Sequence, residues 1–136
     1  MIHIQYRLDK SHKHGIGLFA NQDIQAGELV YSASPKLDLN ISQETFESLK
    51  SGEQEEIRYW GFWIEENKVW HVDFDMSKFI NHSFQANISQ DATKTDAYLI
   101  AVRDIKKGEE LTQNYLEFET ESDLLERGIT LDGDKK

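Results

Sequence analysis

The sequence of 136 residues contains no cysteine. Disulfide bonds, a thiolate nucleophile and zinc sites with cysteine ligands are therefore excluded. The redox compartment cannot be read from a cysteine-free chain, and the cytoplasm is the default expectation. No apolar run approaches the ~18 residues of a membrane-spanning helix. The first residues, Met1 to Gln5, lack the basic start and apolar stretch of a secretory signal, which leaves open an export route without a readable signal.

Basic residues are also few. There are 15 Lys and Arg against 25 Asp and Glu, and the formal net charge is −10. Nucleic-acid backbones are bound through clustered Lys and Arg side chains, so this balance argues against direct binding to nucleic acid. The charge is compatible with attraction of a basic protein segment, although many acidic surfaces serve only solubility. Proline-rich and Gly/Ser-rich linkers are missing, and the length fits one domain.

Short strand-like segments make up most of the chain. Apolar and polar residues alternate from Ile2 to Leu8, which predicts a half-buried strand. Further strands are predicted over residues 17–20, 29–32, 61–64, 69–72 and 98–102, and the polar residues 65–68 predict a hairpin between two of them. One helix is predicted to begin after Ser42 and to stop at Gly52, and another to cover about 121–127. Strands outnumber helices, so we predict a mainly β domain with few short helices.

Two segments, residues 20–28 and 101–109, share the pattern A-x-x-D-I-x-x-G-E. Their glycines, Gly27 and Gly108, are predicted to adopt a positive φ angle, which other residues resist. A stacked repeat protein needs about three copies or more. We therefore interpret the two segments as similar turns within one fold.

Two motifs next to apolar strands are candidates for a functional site. In Gly15-Ile16-Gly17, paired glycines allow a ligand to approach backbone N–H groups, but no Lys-Ser/Thr follows as a phosphate loop requires. Asn81-His82-Ser83 places a histidine beside a serine. Neighbouring side chains of a strand point to opposite faces, and the G-x-S-x-G pattern is absent, so a serine hydrolase is disfavoured.

Other candidates are metal ligands and aromatic side chains. A metal set could be drawn from His71, Asp73, Asp75 and His82. They match no compact ligand motif, so we predict no metal site and expect Asp73 to be a buried hydrogen-bond acceptor. Aromatic residues cluster between 59 and 70 and recur at Tyr115. Such residues usually form a core, but they also line channels that accept an alkyl ammonium group.

The order and spacing of three blocks resemble the SET-domain protein-lysine methyltransferases. Residues 15–20 with 24–30 resemble the family's G-x-G-L-F-A…I-x-x-G-E-x-V opening. Residues 72–87 resemble its I-D…R-F-I-N-H-S-C-x-P-N segment, and residues 108–115 resemble its G-E-E-L-T-x-D-Y close. Together the blocks cover about residues 1–118. The chain departs from the pattern at Lys78, Phe84, Ala86 and Asn114, where the family often has Arg, Cys, Pro and Asp.

The resemblance implies a β-clip-like SET fold of small curved sheets with a C-terminal pseudoknot. Residues 1–118 would be the SET domain, with a variable insert at about 35–57. Residues 119–136 would be an acidic C-terminal segment with a short helix and a frayed end. Many family members carry cysteine-rich zinc segments. This chain has none, so it resembles the compact stand-alone members of bacteria and large viruses.

The resemblance also implies a reaction and a site. The cofactor would be S-adenosylmethionine, and its methyl group would pass to the side-chain amine of a lysine in a protein substrate, such as a histone or another basic protein. Tyr115 would be the catalytic residue, and cofactor binding would fall to Ile16, Gly17, Asn81, His82, Tyr115 and Phe118. The substrate channel would be lined by Tyr59, Trp60 and Phe62. The main alternative is a catalytically inactive SET-like module that binds a peptide or the cofactor. Whether a domain this small dimerises to complete its site is left open.

Overall fold

The computed structural model describes residues 1–131. Within them the chain forms ten strands, three α-helices and two 3-10 helices. The strands are β1 (Tyr6–Lys10), β2 (Ile16–Ala20), β3 (Leu29–Ser32), β4 (Leu39–Ser42), β5 (Phe62–Ile64), β6 (Val69–Val72), β7 (Asn81–His82), β8 (Ile88–Gln90), β9 (Tyr98–Ala101) and β10 (Thr112–Gln113). The α-helices are α1 (Gln43–Ser48), α2 (Ser51–Trp60) and α3 (Glu121–Glu126), and the 3-10 helices cover Met76–Phe79 and Tyr115–Glu117. No helix of the described residues has the length and hydropathy to cross a membrane.

The strands form three small sheets, as the mainly β prediction requires. β1 pairs with β2, the order of the second sheet is β3-β9-β8-β10-β7, and the order of the third is β4-β6-β5. β10 lies between β7 and β8 and is parallel to both, so a late strand is inserted between two strands that precede it. β5 and β6 form the predicted hairpin. The predicted fold class is therefore confirmed.

The hydrophobic core lies where the first two sheets meet. Its most buried members are aliphatic side chains from strands and from both repeated turns: Leu18, Val30, Ile88, Ile24, Ile105 and Leu111. Apolar burial of this kind contributes about 25 cal/mol per Å² of surface removed from water, so it is the main stabilising term of the domain. The core holds β2 against the sheet that contains β7 and β10. These elements carry the first and second sequence motifs.

The two repeated segments exchange hydrogen bonds with each other. The N–H of Ile24 donates to the carbonyl of Ile105, and the reverse bond is also 2.8 Å long. Asp23 accepts from the N–H of Lys107, and the corresponding Asp104 accepts from the N–H of residue 26. Each segment therefore donates to the other the same kinds of hydrogen bond that it accepts from it. The two segments are related in this respect by a local two-fold pseudosymmetry. The predicted positive φ angles of the two repeat glycines are confirmed, at 84° and 97°.

The first predicted strand is only partly correct. Ile2 and Ile4 belong to the core, but β1 begins at Tyr6, and all five of its residues are exposed. The reason is the sheet topology: β1 pairs with β2 alone, and within residues 1–131 it has no further strand beside it. Tyr6 and Leu8 therefore stay 37% and 38% exposed, and the alternation does not mark a half-buried strand there.

The predicted helix after Ser42 is shorter than expected and is followed by a second helix. Ser42 caps α1 by accepting from the N–H of Thr45, and Phe46 packs on Trp70 with ring centroids 5.1 Å apart. α1 ends at Ser48, and Gly52 lies in the first turn of α2 instead of stopping a helix. No residue of α2 is fully buried, and its half-buried face of Gln54, Ile57 and Trp60 has only two apolar residues, so the sequence pattern gives little signal.

Candidate active site

An open cleft of about 1210 Å³ lies beside the Gly15–Gly17 turn and β7. Its volume slightly exceeds the range of about 300–1,000 Å³ that is typical of small-molecule sites. The first wall consists of residues from the glycine turn and β7, and the second of residues from the end of α2 and from beyond α3. The lining residues that the following paragraphs use are Ile16, Tyr59, Trp60, Phe79, Asn81, His82, Glu110, Tyr115 and Arg127.

The glycine turn is shaped by a carboxylate beneath it. Gly15 has a φ of 48°, which favours glycine. At Gly17 the constraint is space, because an added Cβ would lie 2.3 Å from Oε1 of Glu110 and 3.2 Å from Cβ of Ser11. Glu110 in turn accepts hydrogen bonds from the Ser11 hydroxyl at 2.8 and 3.0 Å. Gly17 is therefore a glycine so that the Glu110 side chain can reach under the turn.

Asn81 joins the turn to the strand block. Its amide nitrogen lies 2.9 Å from the His14 carbonyl, 3.2 Å from the Ile16 carbonyl and 2.9 Å from Oε1 of Glu110. An amide nitrogen carries two hydrogens, so these three acceptors cannot all be satisfied by it at full strength. At least one of these acceptors is therefore incompletely satisfied by Asn81 and can accept from a further donor.

Asn87 holds the inserted strand from the other side. Its side-chain nitrogen donates to the carbonyl of Glu110 at 2.8 Å, and its oxygen accepts from the N–H of Thr112 at 2.9 Å. The amide therefore pairs with the backbone as a neighbouring strand would. Thr112 pairs with Asn81 in the parallel ladder of β10 and β7. By holding Thr112, Asn87 fixes the register of β10 and so brings the second and third sequence blocks together.

Tyr115 lies at the end of this ladder. Its hydroxyl donates to the carbonyl of Ile80 at 2.5 Å, and its N–H donates to Nδ1 of His82 at 3.1 Å. Burial raises the pKa of the Tyr115 phenol well above its usual value near 10, and the positive charge of Arg127 opposes this only in part. At neutral pH Tyr115 is therefore an uncharged hydroxyl group that can position a reactant but does not act as an anionic base.

The predicted channel residues lie in two places. Tyr59 and Trp60 line the cleft, and Trp60 contacts Phe79 with ring centroids 5.4 Å apart. Phe62 is not among the residues of 1–131 that line the cleft. It packs on Phe118 at 4.7 Å, and Phe118 packs on Tyr115 at 5.2 Å. Phe62 and Phe118 thus form an aromatic layer next to Tyr115, whereas Tyr59 and Trp60 share with Tyr115 only the lining of the cleft.

The predicted cofactor residues come together as well, in two positions. Ile16, Asn81, His82 and Tyr115 line the cleft directly. Gly17 and Phe118 do not line it within the described part of the chain. Gly17 leaves the space under the turn that the Glu110 side chain occupies, and Phe118 packs on Tyr115. The assignment of these residues to cofactor binding stays a prediction.

The segment after residue 118 is more than a solvated tail. The second predicted helix is α3, and Thr120 and Asp123 form a capping box at its start. Leu124 is fully buried, and residues 126–130 form part of the cleft wall. The predicted frayed end from about residue 131 falls almost entirely on residues 132–136, which lie outside the described residues.

Three potential metal ligands, Asp38, His71 and Asp73, lie within 4.8 Å of one another away from the cleft. Their oxygens already have protein donors: Asp73 accepts from the Tyr31 hydroxyl at 2.5 Å, and Asp38 accepts from a backbone N–H at 2.7 Å. Asp73 is therefore a hydrogen-bond acceptor as expected, but it is half-buried rather than buried. The other residues considered as a metal set lie apart: Asp75 caps a 3-10 helix, and His82 lies in the cleft.

These features define a class of protein: three small sheets, an inserted C-terminal strand and a cleft between a glycine turn and an Asn-His pair. Residues 15–116 match the SET domain, so the chain belongs to the SET-domain family. It is 34% identical over 120 residues to the variant-silencing SET domain-containing protein of Plasmodium falciparum, covering 79% of this chain and 5% of that protein. It is 31% identical over 112 residues to the histone-lysine N-methyltransferase EZH2 of Chaetomium thermophilum, covering 74% of this chain and 7% of that protein.

Solved structures agree with this membership. The Chaetomium thermophilum Polycomb Repressive Complex 2 bound to GSK126 gives a TM-score of 0.66 at 27% identity, over 90% of this chain and 17% of that one. The same complex in an autoinhibited conformation bound to S-adenosylmethionine gives 0.63 at 28% identity, over 92% and 17%. The chain thus spans a small part of these relatives, and it shares with them the SET domain.

Several site residues are not apparent from the sequence motifs alone. Asn87 lies in the second block and Glu110 in the third, but their roles depend on contacts between residues far apart in the sequence. The part played by residues 126–130 is hidden because an acidic composition is typical of a solvated tail. A signal does exist there: the Thr120–Asp123 cap predicts an ordered helix, and an ordered helix needs a surface on which to pack.

Proposed function

We propose that this protein is an S-adenosylmethionine-dependent methyltransferase whose acceptor is the side-chain amine of a lysine in a protein. The observation that carries the proposal is the convergence of Ile16, Asn81 and Tyr115 on one cleft, from positions far apart in the sequence. SET domains related to this one occur in proteins named as histone-lysine N-methyltransferases. The relatives that this chain matches are eukaryotic proteins of which it spans a small part, and its resemblance to the compact members of the family rests on the lack of cysteine.

The cleft has suitable groups for such a cofactor. S-adenosylmethionine carries an ammonium group, and its positively charged sulfur supplies a transferable methyl group. The carbonyls of His14 and Ile16 and the carboxylate of Glu110 compete for one amide nitrogen, so an acceptor is left for that ammonium. Asn81 and His82 would hold the remaining polar edges of the cofactor.

The reacting lysine must lose its proton before it can accept a methyl group. A lysine has a pKa near 10.4, so the neutral amine costs roughly 4–5 kcal/mol at neutral pH. Burial next to the aromatic layer of Phe62, Tyr115 and Phe118 disfavours the charged form and lowers this barrier. The uncharged Tyr115 hydroxyl, together with nearby carbonyl groups, would orient the amine.

The proposed substrate is a basic protein segment. The net charge of −10 favours approach of Lys- and Arg-rich chains. A histone tail has this character, as do other basic proteins. Location in the cytoplasm and the absence of direct nucleic-acid binding remain predictions that rest on composition.

The decisive experiment is transfer of label from methyl-labelled S-adenosylmethionine to histones and to cell-lysate proteins. The wild-type protein is compared with Tyr115→Phe, which removes one hydroxyl group and retains the ring. We expect label on lysine with the wild type and about a hundredfold less with the variant. Loss of the bond to Ile80 lowers stability by only about 1 kcal/mol, which thermal unfolding checks.

Two results would contradict the proposal. Equal rates for the wild type and Tyr115→Phe would remove Tyr115 from the reaction. Measured binding of S-adenosylmethionine, with no transfer to any protein tested, would favour a module that binds the cofactor without turnover.

A further inference from the structure

Arg127 makes an unusual number of contacts for a residue in an acidic segment. Its Nε donates to both carboxylate oxygens of Glu119, at 3.0 and 2.9 Å. Its Nη2 donates to the carbonyl of Gly61 at 2.9 Å, and Nη1 lies 3.5 Å from the carbonyl of Tyr59. One guanidinium group thus bridges three chain segments.

The carbonyls it reaches stand on either side of Trp60. Gly61 is the junction between α2 and β5, and a Cβ there would lie 2.5 Å from the carbonyl of His71. The junction is therefore tightly packed. Phe62, the first residue of β5, follows directly. By holding the carbonyls of Tyr59 and Gly61, Arg127 fixes the segment that carries all three predicted channel residues.

The carboxylate that pairs with Arg127 is that of Glu119, which directly follows the segment of residues 115–118. Glu119 follows Phe118, and both residues donate their backbone N–H groups to the carbonyl of Tyr115, at 2.8 and 3.0 Å. The Glu119 side chain is only 5% exposed, and that of Arg127 is 27% exposed. A carboxylate buried to this degree requires a cationic partner, and Arg127 supplies it.

We infer that Arg127 is a positioning residue that sets the distance between two aromatic segments of the site. These segments are residues 59–62 and residues 115–118. The inference deepens the proposed function and rests on it. Arginine is suited to this task because its planar fork of donors reaches the carboxylate and the carbonyls at once, which a lysine ammonium on a flexible stem does not.

The test compares Arg127→Ala and Arg127→Lys with Arg7→Ala. Arg7 also pairs with a carboxylate, that of Asp9, but it lies on β1 outside the cleft. Two quantities are measured on each protein: amide hydrogen exchange of residues 57–64 and 115–121, and kcat and KM for label transfer. Thermal unfolding is recorded to confirm that each variant is folded.

We expect Arg127→Ala to accelerate exchange in both segments at least tenfold and to lower kcat by about ten- to a hundredfold, because small misplacements at a reacting centre have effects of this size. Arg127→Lys keeps the charge and should unfold close to the wild-type temperature, yet it should recover only part of kcat. Arg7→Ala should resemble the wild type in exchange and in kcat.

The inference is overturned if exchange in the two segments is unchanged by Arg127→Ala, or if exchange rises and kcat stays at the wild-type value. Full recovery of kcat by Arg127→Lys would also overturn it, since charge alone would then suffice. If the wild type transfers no label, the proposed function fails instead. The hydrogen-exchange comparison then still decides whether Arg127 holds the two aromatic segments together.

Discussion

Gly17 offers a quantitative test of how the cleft is built. In Gly17→Ala the new methyl group would lie 2.3 Å from Oε1 and 2.8 Å from Cδ of Glu110, so the two groups cannot coexist. The backbone of β2 is held in register with β1 and has little freedom to move. The Glu110 side chain must therefore leave its position under the turn.

The loss of stability in Gly17→Ala follows from the hydrogen bonds that Glu110 makes. It accepts from the Ser11 hydroxyl and from the Asn81 amide. Hydrogen bonds to a charged group contribute about 1.5–3 kcal/mol each. Because the site is partly exposed, we take the lower part of this range and expect Gly17→Ala to lower the free energy of unfolding by roughly 2–4 kcal/mol.

The assay is a double-mutant cycle with Glu110→Ala, followed by urea unfolding. Once the carboxylate is gone, the added methyl group meets mainly Cβ of Ser11 at 3.2 Å, which a small shift relieves. The effect of Gly17→Ala should therefore shrink to below about 1 kcal/mol in the Glu110→Ala background. Equal effects in both backgrounds would refute the explanation, because they would show that the glycine is needed for its backbone alone.

Three further predictions concern binding, pH and turns. Asn81→Ala should weaken S-adenosylmethionine binding by about ten- to a hundredfold in calorimetric titration, since its hydrogen bond to a polar edge of the cofactor would be lost; unchanged affinity would remove Asn81 from the site. Desolvation opposes ionisation of Asp73, but hydrogen bonds from His71 and Tyr31 outweigh it and lower its pKa, so its contribution to stability is present above the usual value near 3.9 and is lost as pH falls through the folded pKa. Asp73→Asn should thus destabilise at pH 7 and progressively less in acid; a pH-independent difference would contradict this. Gly108→Ala should destabilise by about 1–2 kcal/mol because of its positive φ, whereas Gly52→Ala in α2 should be neutral or stabilising by about 0.5 kcal/mol; thermal unfolding of both variants decides.

Strand positions could be predicted well where the local signal is strong. β3 and β6 match their predicted ranges, because each is a short apolar run bounded by polar residues. α2 could not be predicted in this way, since it has no apolar stripe. Its start is fixed by a bond from the N–H of Lys50 to the Glu53 carboxylate, and Gln54 donates to two carbonyls of the preceding segment.

The site shows the same division. The motif residues Ile16, Asn81 and Tyr115 were placed together by resemblance to a family, and the fold does bring them to one cleft. Glu110 and Arg127 escaped the sequence analysis because their roles are defined by geometry. The first depends on the space beneath a glycine, and the second on carbonyls 66 and 68 residues away. Neither contact produces a periodic pattern or a compositional bias in the sequence from which it could be predicted.

The reciprocal bonds between the repeated segments have a consequence for how this domain can change. They join residues 78 and 84 positions apart and so close a large loop that contains α1 and α2. The entropy lost in closing a flexible loop grows only logarithmically, so doubling its length costs about 0.6 kcal/mol. Residues can therefore be added to or removed from the region of α1 and α2 with little change in the free energy of closing the loop by the hydrogen bonds between the repeated segments. A lineage can rebuild the surface beside the cleft in this way, while Ile16, Asn81 and Tyr115 stay together in the cleft.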